Sequence, residues 1–406
     1  MERNKSMLEA YIYDGLRTPF GRHAGALASV RADDLAAGVF RHLLQKGPFE
    51  VADIEDVLLG CSNQAGEDSR NVARHAALAA GFPDTVPGQT VNRLCASGLA
   101  AVLDAARAVT AGEGALYLAG GVENMSRAPF VLGKAESAYS REAKVFDTTL
   151  GARFPNPRLV ERYGAHTMPE TGDNVAARCG LTREASDVFA EASQRKYQAA
   201  KASGFFEGEV IPVTVEVHPK KPPVLVSEDE HPRADVTFEG LARLKALFPG
   251  GVVTAGNASG INDGAAALWV GDKAIGKKRG APPLARILAG AATGVEPAVM
   301  GLGPVTAIQK ALSRAGLSLA QMDVIEINEA FAPQVLGCLK GLEIDFADSR
   351  VNPNGGAIAV GHPLGASGAR LALTAARQLQ RTQGRYAVVS LCIGVGQGLA
   401  LVLERC

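Results

Sequence analysis

The chain repeats itself, and the repeat limits its possible folds more than any other feature. Ala96-Ser97-Gly98 recurs as Ala366-Ser367-Gly368, an offset of 270 residues (96 to 366); Ala105-Ala106-Arg107 against Ala375-Ala376-Arg377 and Gly114 against Gly384 keep it. A short apolar run follows each of the last pair, LYLAGG at 116–121 and YAVVSLC at 386–392. Upstream, a helical stretch leading to ADIEDVLLG (52–60) is answered near the same offset by SLAQMDVIEIN (318–328). Three shared residues would mean little, but an ordered set with common spacing points to two copies of one supersecondary plan.

Within each copy the pattern alternates. The glycine-bounded apolar runs have the length and composition of strands buried on both faces. Leu99, Val102, Leu103, Ala106 and Val109 recur at helical spacing, whereas Leu371, Leu373, Ala375 and Leu379 keep that spacing only loosely. Alternating strands and helices predict an α/β fold. At 406 residues the chain exceeds the roughly 250–300 at which one core stops growing, so two α/β sheet domains are expected. Two similar halves facing each other would place equivalent loops on either side of one cleft. The middle, about 128–253, breaks the repeat and is richer in charge and proline, notably in HPKKPPVLVSEDEHPR (218–233). It reads as an insertion or lid, and its basic residues as either a phosphate contact or a solvated loop.

Lysines and arginines number 42 and acids 42, so no overall field attracts nucleic acid or an anionic membrane. The six cysteines (61, 95, 179, 338, 392 and 406) show neither a C-x-x-C pair nor zinc-type histidine spacing; reduced thiols and no metal site are expected. The opening MERNKSMLEAYIYDG lacks a signal-peptide apolar region, and no stretch is expected to reach membrane-spanning length, which together predict a cytoplasmic protein. The residues before Met7 are set aside as a late start or an added segment.

Four segments carry reactive groups. Cys95 lies in VNRLCASGLAAVLDAAR (91–107), where a polar loop gives way to an apolar helix. A helix N-terminus favours thiolate over thiol, although the position alone fits a buried structural cysteine better. NPNGGAIAVGHPLGASGAR (352–370) puts His362 in the loop equivalent to Asn92, again 270 residues on, so the repeat projects a candidate base toward Cys95. Gly355, Gly356, Gly361, Gly365 and Gly368 around it suit close approach of backbone to a ligand; the run matches neither the P-loop nor the dinucleotide fingerprint. SLCIGVGQGLALVLE (390–404) ends a strand at Cys392 and continues with Gly394, Gly396 and Gly398, whose N–H groups could hold an oxyanion. IEINEAFA (325–332) ends another strand with Asn328 and Glu329, where an amide could orient a water or an oxygen.

Taken together, these segments resemble the thiolase family from RTPFGRHAGAL (17–27) to the C-terminal glycine run, through NRLCASG, AGGVENMSRAP, TAGNASGINDGAAA, INEAFA, GGAIAVGHPLGASG and CIGVGQG. The resemblance implies two similar mixed-sheet α/β domains in a layered αβαβα arrangement with an inserted loop domain. The expected boundaries are an N-terminal domain over 1–127, the insertion over 128–253, a return to the first domain over 254–278 and a C-terminal domain over 279–406. It also implies a homodimer or, more often, a homotetramer, a dimer of dimers. Cys95 becomes the acyl-carrying nucleophile, His362 its base and the base for coenzyme A, and Cys392 the acid/base for the substrate α-carbon. Asn328 and His362 would hold one thioester oxygen, and the backbone N–H groups of Cys95 and Gly394 the other. Ala255, Ser259 and Arg233 would meet coenzyme A, and Met168, Met300, Ala330 and Phe331 would line the acyl pocket. Coenzyme A enters as a substrate; no cofactor is implied.

In the pocket loop, biosynthetic acetoacetyl-CoA thiolases place His directly before Met, whereas here Thr167 precedes Met168 and His166 lies one place earlier. The stretches 147–176 and 227–245 most resemble 3-oxoadipyl-CoA thiolases, which form succinyl-CoA and acetyl-CoA. The carboxylate of such a substrate calls for a cation or several donors at the pocket end, with Arg153, Arg158, Arg162 and His166 as candidates. The alternatives are an acetyl-CoA acetyltransferase, a broad-range 3-ketoacyl-CoA thiolase, a decarboxylating ketosynthase and a noncatalytic acyl-CoA or lipid carrier. Cys392 and the NEAF block argue against the ketosynthase, and the complete Cys, His, Cys set against the carrier.

Overall fold

The structure, a computed structural model, describes residues 8–216 and 220–406. The segment before Met7, and His218-Pro219 of the charged stretch, lie outside the described residues. The first copy runs β1 (Ala10–Arg17), α1 (Ala32–Lys46), β2 (Asp56–Gly60), α2 (Val72–Ala79), β3 (Gly88–Val91), α3 (Ser97–Ala111) and β4 (Leu116–Asn124). After the insertion, whose longest helices are α4 (Met168–Cys179) and α5 (Arg183–Ala202), β5 (Asn262–Gly271) returns to the first sheet. The second copy runs β6 (Ala285–Gly294), α6 (Gly303–Ala315), β7 (Val324–Ile327), α7 (Ala332–Gly341), α8 (Leu364–Thr382), β8 (Tyr386–Ile393) and β9 (Gln397–Arg405).

Sheet order shows the duplication directly: β3-β2-β4-β5-β1 in one half and β7-β8-β9-β6 in the other. Strand β2 is parallel to both neighbours, β7 is parallel to β8, and a parallel bridge from Ile325 to Val351 stands where β3 stands in the first half. The register repeats too, since Leu59 lies opposite Gly120 and Ile327 opposite Ser390. The halves also join at an edge, where Ala10–Ile12 of β1 pairs with Ala285–Ile287 of β6.

Three apolar cores define five layers. Helices α1 and α2 cover the outer face of the first sheet, and α6 and α7 that of the second. Helices α3 and α8 lie between the sheets in a shared core with Leu99, Leu103, Leu371, Leu373 and Leu379. Each such leucine contributes about 1.5–3 kcal/mol by leaving water. Helix α8 is buried on nearly every face over its first thirteen residues, so its polar stripe of Ser367, Arg370 and Thr374 lies inside the protein. The expectation that no stretch reaches membrane-spanning length needs correction: Leu94–Ala111 does so by length and composition, with mean hydropathy 1.4. Its position explains the apolarity, because it forms half of the central helical layer of this fold.

Small residues let the central helices approach. A side chain on Gly98 or Gly121 would collide with the carbonyl of Gly365, and one on Gly368 with the backbone of Leu99. The inserted segment has no separate core among its described residues. Its Phe189, Ala190 and Leu241 belong to the core of the second half, Ile211 and Val215 to that of the first, and Tyr197 to the shared one. The acidic part of 218–233 is a fastening. Asp229 accepts from both Arg17 terminal nitrogens (2.6 and 2.9 Å), the Phe20 N–H (2.8 Å) and the Tyr197 hydroxyl (2.8 Å).

Candidate active site

Cys95 is presented by a turn built from its neighbours. Asn92 Oδ1 accepts from Leu94 N–H at 2.9 Å, Arg93 N–H donates to Ser97 Oγ at 2.9 Å, and Ser97 Oγ–H returns to the Leu94 carbonyl at 2.6 Å. Leu94 is left at φ 47°, a left-handed conformation costly for a side-chain-bearing residue. These bonds stabilise the strained turn and set Cys95 just ahead of α3. The thiol lies against the backbone N–H groups of Gly394 and of Cys95 itself. Both predicted oxyanion donors therefore converge on the nucleophile.

Gly394 follows β8, whose Cys392 is close enough to Cys95 for their thiolates to repel. Asn328 continues the ladder of β7 by donating its N–H to the Ser390 carbonyl at 2.9 Å, two residues before Cys392. Its side-chain amide meets His362 Nε2 at 3.4 Å, and its Oδ1 is buried without a partner among the described residues. His362 enters from the loop before α8. Gly361, at φ 105°, makes the turn, and Asn262 Oδ1 accepts the His362 N–H at 2.8 Å.

The ring is fixed by Ser367. Ser367 Oγ–H donates to the Pro363 carbonyl at 3.0 Å, so the oxygen can only accept from His362 Nδ1–H at 2.6 Å. This assigns the proton to Nδ1 and leaves Nε2 as a lone pair beside the Asn328 amide. Glu123 fastens the surroundings. Its buried carboxyl, raised by desolvation, accepts from the N–H groups of Ser62 (3.0 Å), Asn63 (2.9 Å) and Gly365 (2.9 Å). Gly365 N–H is thereby occupied at the start of α8. Gly356 packs on Glu329, Gly365 on the Gly60 and Val122 carbonyls, and Gly368 on Leu99. These glycines join parts of the protein, where close approach to a ligand had been expected of them.

The expected ionisation of Cys95 is also corrected. Burial pushes its thiol up to about 11, although the two N–H groups beside it pull the other way. Burial likewise lifts Cys392 well above the ordinary thiol range. It depresses His362 to about 3, with Arg370 adding to the effect. At rest the site thus holds two thiols and a neutral imidazole, and the helix terminus does not prevail over desolvation. A proton leaving Cys95 needs an acceptor, and the one unprotonated ring nitrogen of His362 is Nε2.

The four predicted pocket residues come together: Met300, Ala330 and Phe331 pack with Val253 and Cys392, and Met168 lies against them. Thr167 and Glu170 form the capping box of α4, with Thr167 N–H donating to Glu170 at 2.6 Å, which places Met168 at the first helical position. The coenzyme A candidates share one side. Ser259 N–H donates to the Ala330 carbonyl at 2.9 Å, Ala255 is exposed on the same loop, and the His231 ring packs on Gly260, two residues from exposed Arg233. Of the carboxylate candidates, Arg153 donates to the Thr148 carbonyl at 3.1 Å and Arg162 stacks on Tyr163 at 5.2 Å. Arg158 and His166 are exposed on the segment that leads to Met168. None is shown bonded to the acyl pocket.

Ser367, Glu123, Asn262 and Glu329 were missed as supports. Ser367 alone had a signal, since its repeat partner Ser97 occupies the same place in the other half. Glu329 is wholly structural: Asn352 (2.8 Å), Ser193 (2.6 Å) and the Ile358 N–H (3.1 Å) all donate to it.

A thiol beside two backbone N–H groups, with a second thiol and an oriented imidazole, has the groups that acyl transfer through a thioester requires. Comparison with known proteins agrees: residues 10–274 match the thiolase N-terminal domain and residues 281–405 the thiolase C-terminal domain. The chain belongs to the thiolase family. It is 56% identical over 401 residues to the 3-oxoadipyl-CoA/3-oxo-5,6-dehydrosuberyl-CoA thiolase of Escherichia coli, covering 98% of this chain and all of that one. It is 55% identical over 402 residues to the beta-ketoadipyl-CoA thiolase of Acinetobacter baylyi, with the same coverage. The crystal structure of the Bacillus anthracis acetyl-CoA acetyltransferase superposes with a TM-score of 0.91 at 38% identity, over 98% of this chain and 99% of that one.

Proposed function

We propose that the protein cleaves 3-oxoadipyl-CoA with coenzyme A to succinyl-CoA and acetyl-CoA, by way of an acyl group carried on Cys95. The observation that carries the chemistry is the convergence of the Gly394 and Cys95 N–H groups on the Cys95 sulfur, beside Cys392. The substrate rests on likeness: the relatives named for 3-oxoadipyl-CoA or beta-ketoadipyl-CoA share 53–56% of residues, against 45% for the acetyl-CoA acetyltransferase of Escherichia coli.

Cys95 attacks the 3-oxo carbon while its proton passes to His362 Nε2, and the two N–H groups hold the oxygen that becomes negative. The C2–C3 bond breaks, its electrons leave as the enolate of acetyl-CoA, and Cys392 donates a proton to that carbon. Asn328 and His362 hold the thioester oxygen of the departing enolate. The Cys392 thiolate recovers a proton from His362, which frees Nε2. Coenzyme A then attacks the acyl-enzyme as its thiol proton passes to Nε2, and that proton returns to the Cys95 sulfur as succinyl-CoA leaves. Ala255, Ser259 and Arg233 flank the pantetheine and nucleotide path, and Met168, Met300, Ala330 and Phe331 line the acyl chain. Assembly as a homotetramer is part of the same reading, supported by Phe130, Leu132 and Tyr139, which are 73%, 66% and 101% exposed and need cover.

The test is loss of 3-oxoacyl enolate absorbance on adding coenzyme A, comparing 3-oxoadipyl-CoA, acetoacetyl-CoA and a medium-chain 3-oxoacyl-CoA. Preference for the first that vanishes in Cys95→Ala supports both reaction and substrate. Preference for another chain overturns the substrate, and absence of Cys95-dependent cleavage overturns the reaction.

A further inference from the structure

A cleft of about 660 Å³ opens where both copies and the insertion meet, and none of the residues assigned above to the reaction or to assembly lines it. Its size lies within the roughly 300–1,000 Å³ of small-molecule sites. Much of the lining is aromatic. Tyr13 of β1 and Phe49, just after α1, meet edge-on with ring centres 5.2 Å apart, and Phe49 lies 5.5 Å from Trp269 of β5. Pro282 and Leu284 of the link between the copies extend this apolar surface, and Phe205, just after α5, adds a ring from the insertion. The polar part is the end of α8, which brings Arg377, Gln380 and Arg381.

Among the described residues, two donors in this lining are buried without a partner: the indole Nε1–H of Trp269, a residue 1% exposed, and the Nε–H of Arg377. The indole nitrogen lies on the side of Gly47, where a Cβ would stand 3.2 Å from it, one residue before Pro48 of the lining. The donors around them are engaged. Gln380 Nε2 gives its hydrogens to the carbonyls of Leu284 (2.6 Å) and Cys406 (3.2 Å), and the Tyr13 hydroxyl donates to the Asp272 carbonyl. Three charged groups line the cleft. Arg377 Nη2 donates to Asp14 at 2.8 Å, whereas Arg381 gives Nη2 to the neutral Ser203 carbonyl at 2.7 Å and lies 5.7 Å from the centre of the Phe205 ring. Two cations against one acid leave a positive charge beside an apolar surface.

A buried N–H calls for an acceptor. The unmatched groups here are two donors and a cation, so their complement is a set of anionic oxygens carried on a flat apolar body; a cation or a hydrocarbon would leave them unmet. We propose that the cleft is a second ligand site, separate from the acyl-transfer site, and that it takes an arylalkyl carboxylate. The ring of the ligand lies against the aromatic lining, and its oxygens turn to the free donors and to Arg381.

Trp269 is the single tryptophan of the chain, so its emission reports on this cleft. The experiment titrates the protein with phenylbutanoate and, in parallel, with phenylbutylamine, which has the same ring on a similar chain and the opposite charge. Excitation is at the red edge of the indole band, with Trp269→Phe as blank. The carboxylate should change the emission saturably, and the amine should bind about tenfold or more weakly. Arg377→Lys keeps a cation for Asp14 but removes the Nε–H, and it should weaken the carboxylate about tenfold. Arg381→Glu, at an exposed position, should weaken it by as much and is the variant to read if Arg377→Lys does not fold. Saturation should persist in excess coenzyme A. The proposal is overturned by the lack of a saturable response, by equal binding of carboxylate and amine, or by an affinity unchanged in the folded variants. Loss of the response on adding coenzyme A also overturns it, because the carboxylate would then occupy the acyl-transfer site.

Discussion

Replacing Ser367 by Ala removes one oxygen and leaves the backbone around it intact. The Pro363 carbonyl keeps the N–H groups of Ala366 (2.9 Å) and Ser367 (3.1 Å), so the start of α8 has no reason to unwind. The loss falls on His362 Nδ1, whose 2.6 Å partner disappears at a position that is 4% exposed. A buried donor without a partner costs about 1–3 kcal/mol. The imidazole can relieve that cost by moving its proton to Nε2, which disables it as the acceptor for Cys95. Either way the barrier rises by a similar amount, a factor of about 5 to 150 in kcat. The assay is coenzyme A-dependent cleavage of 3-oxoadipyl-CoA, with KM and the thermal midpoint measured on the same preparation. The expected result is a lower kcat with KM nearly unchanged and a thermal midpoint lowered by no more than a loss of about 1–3 kcal/mol requires. A kcat within twofold of the parent would refute the assignment of the proton to Nδ1 and of Ser367 as its keeper.

Four further outcomes follow from the same geometry. Cys392→Ala should lose C–C cleavage by about a hundredfold or more while retaining exchange of the acyl group between succinyl-CoA and free coenzyme A, which needs no proton at carbon; equal loss of both reactions contradicts the division of labour between the thiols. Gly98→Ala forces a methyl onto the Gly365 carbonyl and should destabilise by about 1–3 kcal/mol or more, read as the urea midpoint. His362 is held neutral, at about 3 in the folded chain against the model-peptide value of 6.5, so the unfolded chain binds the extra proton and stability falls as pH drops through that window. Between pH 7 and 5 the loss assignable to this residue is about 2 kcal/mol, and a His362→Gln variant should show a pH dependence flatter by that amount. Phe130→Glu together with Leu132→Glu should lower the mass measured by light scattering from a tetramer to a smaller species without loss of helix; an unchanged mass removes this surface from the assembly.

The repeat made the core of the fold legible because duplicated secondary structure keeps its spacing even where individual residues change. The 270-residue offset survives as matching strands, Leu116–Asn124 and Tyr386–Ile393, flanking equivalent helices. Periodicity exposed α3 but was followed only loosely in α8, whose apolar residues surround a stripe of Ser367, Arg370 and Thr374 that is itself buried. The edge pairing of β1 with β6 was invisible: it joins strands far apart in sequence through three residues that look like any other apolar run. At the site, the reactive side chains were legible as motifs, and their protonation was not. Cys95 at a helix start suggested a thiolate, but desolvation depends on what the rest of the chain lays over it. Ser367, Glu123 and Asn262 escaped for a related reason, because their partners lie across loops whose approach no local pattern records.

The same duplication explains why one site arises where two might be expected. The loop before each Ala-Ser-Gly helix is one structural slot, held in both copies by the serine of that motif. In the first, Ser97 accepts from Arg93 N–H and bonds Leu94, and Asn92 turns the chain so that Cys95 is presented. In the second, Ser367 reaches the His362 ring and Pro363, so the slot presents a base where the first has Asn92. The strands after these helices divide in the same way. The end of strand β8 carries Cys392, with Gly394 just beyond it, both beside Cys95, whereas the matching end of β4 carries Glu123, whose carboxyl grips the N–H groups of Ser62, Asn63 and Gly365. On the proposed mechanism one copy therefore supplies the nucleophile and the clamp, and the other supplies the base, the acid and an oxyanion donor. Neither half could work alone, and the glycine contacts that press α3 against α8 are for that reason as necessary to the chemistry as the thiols.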